Sequence, residues 1–335
     1  MPQRDIIVIG ASSGGVHVLT QLVRGLPEQL PAAVFVVLHV PPDTPSHLPA
    51  ILNRSGPLPA SHAVDQEPIR RGRIYVAPPG MQMYLQSGRI SVRRGPRENS
   101  QRPAIDALFR TAAHHYGPRV IGVVLSGSLD DGAAGLYAVK RGAGIAVVQD
   151  PADAEFPDMP ANALDRTQVD YAVSTEDLAS TLIGLVAYPI TNDALRPEIP
   201  LETVEEAPKP ADALRSAQLG RASDLTCPDC HGTLYEIGDA GTGLRYRCRV
   251  GHAFSPESLD AAQTDSVERA LWAALRALEE RTALMRKLAE HARRRGHGSV
   301  AELFEVRSDE VERDVKAIHE VITTGRTLEP VGDHT

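Results

Sequence analysis

Only three of the 335 residues are cysteine, an odd count in a long chain, so a disulfide scaffold is excluded by arithmetic. No run approaches the roughly 18 apolar residues that a membrane-spanning helix needs. The start, MPQRDIIVIGASSGG, lacks the basic leader, long apolar stretch and small-residue cleavage site of a secretory signal, which makes a cytoplasmic location the expectation. Positive charge is in deficit, 35 Lys+Arg against 43 Asp+Glu for a net −8, which argues against a protein that holds nucleic acid by counterion release. A disordered composition is missing too, since 42% of residues are hydrophobic and 23% charged.

What is present divides the chain. Its length exceeds what one hydrophobic core usually serves, and composition changes class along it. The first part is punctuated by Gly and Pro between short β-branched runs, whereas the last stretch is rich in Ala, Leu, Glu and Arg. Between them TNDALRPEIPLETVEEAPKPADALRSAQLGRAS mixes prolines, acids and alanines with weak periodicity, as linkers do. The expected organisation is a catalytic domain over 1–190, a linker over 191–223, a small module over 224–255 and a helical hairpin over 256–325.

The first part reads as an α/β fold with a doubly wound, mostly parallel sheet. The runs 6–10, 33–39, 74–78, 120–126 and 144–150 are too apolar to face water, and helical patterns at 14–25, 104–116 and 133–142 alternate with them. Residues 83–94, turning at Ser87-Gly88, are expected to add a hairpin to that sheet. Sheets of this kind keep their chemistry in loops at the carboxyl ends of strands.

The first such loop is Gly10-Ala11-Ser12-Ser13-Gly14-Gly15, running straight into a helix. Gly-x-Ser-x-Gly suits a strand-to-helix turn that presents Ser12 as a nucleophile; similar glycines also cradle a dinucleotide pyrophosphate. The next strand end separates the two. A dinucleotide site wants an acid there for the ribose, but Val37-Leu38-His39-Val40-Pro41 offers histidine. A neutral imidazole can take a serine proton and return it to a leaving group. An orienting acid is available in Leu125-Ser126-Gly127-Ser128-Leu129-Asp130-Asp131-Gly132. The order Ser, His, Asp differs from that of α/β-hydrolases.

Together IGASSGG, LHVPP and LSGSLDDGAAGL resemble the three signature loops of the catalytic domain of CheB-type chemotaxis protein-glutamate methylesterases, over roughly residues 5–187. YVAPPGMQMYL, RPAIDALFRTAA and FPDMPANAL fit the same likeness. The resemblance implies a serine hydrolase that converts γ-glutamyl methyl esters on chemoreceptor helices to glutamate and methanol, with glutamine deamidation as a side activity of some members. Carried across, it implies Ser12 as nucleophile, His39 as base, Asp131 as orienting acid and the Ser128 backbone N–H in the oxyanion hole, with no cofactor for catalysis. It implies that Asp130 caps a helix or faces solvent. Methylated chemoreceptor helices are the implied partner, which would bring the protein to a membrane only through the receptor. Typical members carry an N-terminal receiver domain, and this chain starts a few residues before the catalytic strand, so regulation in cis by phosphorylation is not expected.

All three cysteines fall in Cys227-Pro-Asp-Cys230 and Cys248-Arg-Val-Gly-His252. This is Cys₃His spacing for a zinc-ribbon-like module, and four protein ligands leave no open position, so a structural Zn²⁺ is expected. Beyond it, Leu271, Leu275, Leu278, Met285 and Leu288 recur at helical steps, predicting a helix over about 257–294 and a partner over 300–323. The competing functional class is a non-catalytic binding protein that recognises a receptor or signalling partner through this tail. Which receptor is the target, and the oligomeric state, are left open by the sequence.

Overall fold

The computed structural model describes residues 3–41, 44–190, 220–239 and 243–324; the expected linker lies outside these as far as residue 219. The chain groups into two compact units, Met1–Leu259 and Asp260–Thr335.

The first unit is built on a seven-stranded sheet. Its strands are β1 (Ile6–Ala11), β2 (Ala33–Leu38), β3 (Ala60–His62), β4 (Arg73–Val76), β7 (Val120–Val124), β8 (Ile145–Gln149) and β9 (Tyr171–Val173), in the order β3-β4-β2-β1-β7-β8-β9. All six neighbouring pairs are parallel. Alternation along β1 sends Ile7, Ile9 and Ala11 to one face and Ile6 and Val8 to the other, so both faces must be covered. Helices α1 (Gly15–Gly25), α2 (Leu48–Ser55) and α6 (Leu178–Ala187) cover the first through Leu19, Leu22, Leu52 and Leu182. Helices α3 (Ile105–Tyr116), α4 (Ala133–Arg141) and α5 (Asp158–Arg166) cover the second through Leu108, Leu136, Val139 and Met159. This is the doubly wound architecture expected.

One expectation needs correction. The hairpin of β5 (Gln82–Gln86) and β6 (Arg89–Arg93) does not join the main sheet but forms its own antiparallel pair. It buries Met83, Leu85 and Ile90 in the α3-side core, and β5 takes the Thr111 hydroxyl of α3 as acceptor for the Leu85 amide at 3.0 Å. Edge strands β3 and β9 escape sequence reading because three residues are too few to show a period.

Four further strands, β10 (Arg221–Thr226), β11 (Thr233–Asp239), β12 (Gly243–Cys248) and β13 (Ala253–Phe254), make a separate antiparallel sheet within the first unit. Among the described residues its fully buried apolar side chains are few, chiefly Leu234 and Phe254 beside Cys227 and Cys248.

The second unit takes in most of α7 (Pro256–Arg294) and all of α8 (Gly298–Thr324), which turn back on each other at Gly296 (φ 78°). Among the protected positions are 275, 278, 282, 285, 289 and 292 on α7 and 301, 304, 308, 311, 315 and 318 on α8. Alternating steps of three and four are the seam of a coiled-coil hairpin. Ion pairs Arg286–Glu312 and Arg293–Glu305 fix its antiparallel register. Leu288, expected in the stripe, stays exposed and Ala289 takes the seam position, because the repeat follows 3.5 residues and drifts off the wider 3.6-residue face. No described helix is long and apolar enough to cross a membrane.

Candidate active site

Parallel register brings two of the loops together. Ala11 at the end of β1 pairs with Leu38 at the end of β2, and the His39 amide donates to the Ala11 carbonyl at 3.1 Å. Ser12 and His39 are therefore the first residues past two adjacent strand ends. On the other side the Ser12 amide donates to the Ser126 carbonyl at 3.0 Å, so Ser12 sits between the β2 and β7 loops. The chain then turns through Gly14, whose φ of 76° is open to glycine at little cost, and enters α1. Ser126 fastens the turn: its hydroxyl donates to the Ser13 carbonyl at 2.8 Å and accepts from the Phe156 amide at 3.0 Å.

His39 meets the acid directly. Its Nε2 lies 2.8 Å from Asp131 Oδ2, with the two side chains 8% and 3% exposed. Asp131 Oδ2 also accepts from the Ile105 amide at 2.7 Å, and Oδ1 from the Asp106 amide at 3.2 Å and Asn99 Nδ2 at 3.0 Å. The carboxylate thus caps α3, using amides that the helix itself leaves unpaired. Burial alone would raise its pKa, but the His39 contact and these donors outweigh it and hold Asp131 below the ordinary carboxylate range. With Nε2 occupied, Nδ1 is the ring nitrogen left for Ser12. Among the described residues no hydrogen bond joins the Ser12 hydroxyl to His39; the backbone register is what sets them side by side.

Close packing against Ser12 requires Gly127. A Cβ there would stand 2.7 Å from Ser12 Cβ and 2.1 Å from Met159 Sδ. The next residue, Ser128, is exposed, and among the described residues its amide makes no backbone hydrogen bond. A cleft of about 320 Å³ opens beside the histidine, lined by His39, Val40, Arg97, Ser100, Gln101 and Arg102.

Asp130 differs from expectation. It is buried, accepts from the Ser255 hydroxyl at 2.8 Å and pairs with Arg166 at 2.9 Å, so its side chain neither caps α4 nor faces solvent. The cap is supplied from α3: Asp106 Oδ1 accepts the Gly132 and Gly135 amides at 3.1 and 2.7 Å. Asp131 caps α3 while Asp106 caps α4, a reciprocal arrangement that locks the acid loop. Burial and the neighbouring Asp131 charge push Asp106 up, against the opposing pull of Arg245, and burial pushes Asp130 up to about 6.

Sequence reading also passed over Asn99. Its Nδ2 donates to both Asp131 Oδ1 and Asp106 Oδ2, at 3.0 and 3.1 Å, while Oδ1 accepts from the Ser255 amide and the Ser258 hydroxyl, each at 3.1 Å. The local signal is backbone: Asn99 and Ser100 both have positive φ, 49° and 63°, which marks a deliberately bent segment.

The four residues with metal-ligand spacing converge at one end of the small sheet. Cys227 and Cys230 lie on the β10–β11 turn, Cys248 ends β12 and His252 lies on the turn after it, and all four ligand atoms lie within 4.8 Å of one another.

Comparison with known proteins places this geometry in a family. Residues 7–182 match the family model described as CheB methylesterase. A Leptospira interrogans protein is 37% identical over 182 residues, covering 54% of this chain and 94% of the relative. A Methanosarcina mazei protein named protein-glutamate methylesterase/protein-glutamine glutaminase 2 is 30% identical over 55% of this chain and 52% of its own length. The crystal structure of the Thermotoga maritima CheB methylesterase catalytic domain superposes with a TM-score of 0.52 at 30% identity, covering 55% of this chain and all of that one. With strand-end serine, histidine and aspartate loops on the matching fold, the chain belongs to the CheB methylesterase family of hydrolases.

Proposed function

We propose that the protein is a protein-glutamate methylesterase acting on methylated chemoreceptor helices in the cytoplasm, with glutamine deamidation as a second activity of the same site. The observation that carries the reading is the buried His39–Asp131 pair, 2.8 Å apart, at the strand end adjoining Ser12. Ser12 Oγ attacks the γ-carbonyl carbon of a methyl glutamate while His39 takes its proton. The Ser128 amide donates to the resulting oxyanion. The intermediate collapses, the C–O bond to methoxide breaks, and His39 returns the proton to give methanol. Water activated by His39 then cleaves the glutamyl-serine ester, leaving glutamate and free Ser12. No cofactor enters these steps. Arg97 and Arg102 at the cleft suit a substrate segment rich in glutamate.

Peptide mass spectrometry of methylated chemoreceptors tests the reading. Incubation should remove the mass of one methylene per esterified glutamate, and the Ser12→Ala protein should leave the peptides unchanged. Receptor peptides bound but never altered by the intact protein would favour the non-catalytic binding class instead.

A further inference from the structure

Cys227, Cys230, Cys248 and His252 are set as a metal site by distances as well as spacing. Cys227 Sγ and Cys248 Sγ each lie 3.6 Å from His252 Nδ1, and Cys230 Sγ lies 3.6 Å from Cys248 Sγ. These three spacings match edges of a tetrahedron, since bonds of about 2.3 Å to sulfur and about 2.0 Å to nitrogen put neighbouring ligand atoms roughly 3.5–3.8 Å apart, and the remaining pairs lie within 4.8 Å. The backbone holds both turns ready, with the His231 amide on the Cys227 carbonyl at 2.8 Å and the Gly251 amide on the Cys248 carbonyl at 3.0 Å. Soft thiolates with one imidazole and no carboxylate select a zinc-class ion over calcium or magnesium. An ion would also add to a thin core, since among the described residues the large buried apolar side chains of these four strands are chiefly Leu234 and Phe254.

This small sheet is wired to the catalytic acid. Segment 97–99 runs beside β13, with the Ala253 amide on the Arg97 carbonyl at 3.2 Å and the Asn99 amide on the Ala253 carbonyl at 2.7 Å. Arg97 meets Asp229, inside the Cys227–Cys230 turn, at 3.7 Å. Arg245 of β12 faces two buried acids of the catalytic part, Asp106 at 3.4 Å and Glu98 at 3.8 Å. One residue past β13, Ser255 with Ser258 fixes the Asn99 amide so that its Nδ2 points at Asp131 and Asp106, and the Ser255 hydroxyl also holds Asp130.

We infer that the Cys₃His cluster binds one zinc-class ion, and that this ion, by holding β13 and Ser255, keeps Asn99 on Asp131 and so sets the competence of the His39–Asp131 pair. Asn99 is a positioning residue acting through Asp131. The second half of the inference rests on the esterase reading for its rate effect, but the state of the pair is observable without turnover.

Three measurements on the full chain test it. Elemental analysis should find one zinc per chain, and cobalt substitution should give the visible absorption of a tetrahedral thiolate site, lost in His252→Ala. Freely titrating thiols without an ion would overturn the site. Chelator-stripped protein should then show a weakened or lost downfield ring N–H proton signal for His39 bonded to Asp131, restored by zinc; an unchanged signal would overturn the coupling whether or not any ester is cleaved. Asn99→Gly, which suits the positive φ and leaves the cluster intact, should keep its zinc and lower kcat about tenfold with KM nearly unchanged, the cost of the lost hydrogen bond to Asp131. Stripping the zinc from that variant should then cost little more, because both changes cut the same connection. A variant with normal kcat, or two fully additive losses, would overturn the coupling. Zinc present and the His39 signal responsive, but no methanol from any form, would sink the esterase reading and not the metal brace.

Discussion

His39 turns Nε2 toward Asp131 Oδ2, 2.8 Å away, which leaves Nδ1 to serve Ser12. In the familiar serine-hydrolase arrangement the nitrogens are used the other way round. The difference follows from where the acid stands. Asp131 is held at the amino end of α3 by the Ile105 and Asp106 amides, and it meets the imidazole there through Nε2.

Asp131→Asn should therefore injure two things at once. Kinetics should show kcat lower by about four orders of magnitude, as when the orienting acid of a triad is neutralised. Thermal unfolding should move down as well, because an asparagine amide cannot accept from both helix amides and the imidazole. Loss of activity without loss of stability would contradict the capping role.

The two serines of the turn should separate cleanly. Ser13 is exposed and offers its carbonyl to Ser126, whereas Ser12 lies half-buried next to His39. Ser12→Ala should abolish turnover with the fold retained, while Ser13→Ala keeps measurable activity. The reverse pattern would reassign the nucleophile.

Gly127→Ala places a methyl against Ser12 Cβ and Met159 Sδ. Methionine can yield, but the Ser12 backbone is pinned by the Ser126 carbonyl. Displacing a reacting group by even about 1 Å costs on the order of a hundredfold, so kcat should fall that far in steady-state assays, with the melting temperature lowered by the overpacking.

Asp130 gives a pH signature with a definite sign. Its folded pKa is raised from 3.8 to about 6, so the folded state holds a proton that the unfolded state has released across that interval. Its contribution to stability is present below 3.8 and is lost as pH rises through about 6. The unfolding free energy of Asp130→Asn relative to the native protein, measured by denaturant titration, should thus improve as pH rises from 4 to 6 and level off above. A flat difference would remove the buried-carboxylate account.

In the helical unit, Ser308 is buried with its hydroxyl unpaired among the described residues. Ser308→Ala deletes an unsatisfied polar atom and raises helix propensity, so the hairpin should gain about 1 kcal/mol by thermal unfolding.

The strand-end placement of Ser12, His39 and Asp131 is legible because each sits in a short Gly- or Pro-marked loop directly after an apolar run. Asn99 and Ser255 were not, since their meaning arises from contacts 156 positions apart. Asp106 reads locally as an ordinary first-turn acid of α3 and becomes the cap of α4 only after the two helices pack. Asp130 was misjudged for the same reason: a Gly-rich turn looks solvated until the small sheet and Arg166 cover it. The hairpin at 82–93 was legible as a hairpin, but nothing in alternation says which sheet, if any, it joins.

The central claim is that Ser12, His39 and Asp131 form one hydrolytic site for glutamate methyl esters. Initial rates of methanol release from methylated chemoreceptor membranes, measured side by side for the native protein and Ser12→Ala, test it most directly. Release by the native protein and none above background by the variant is the result expected. Equal release by both, or none by either across several receptors, would contradict it.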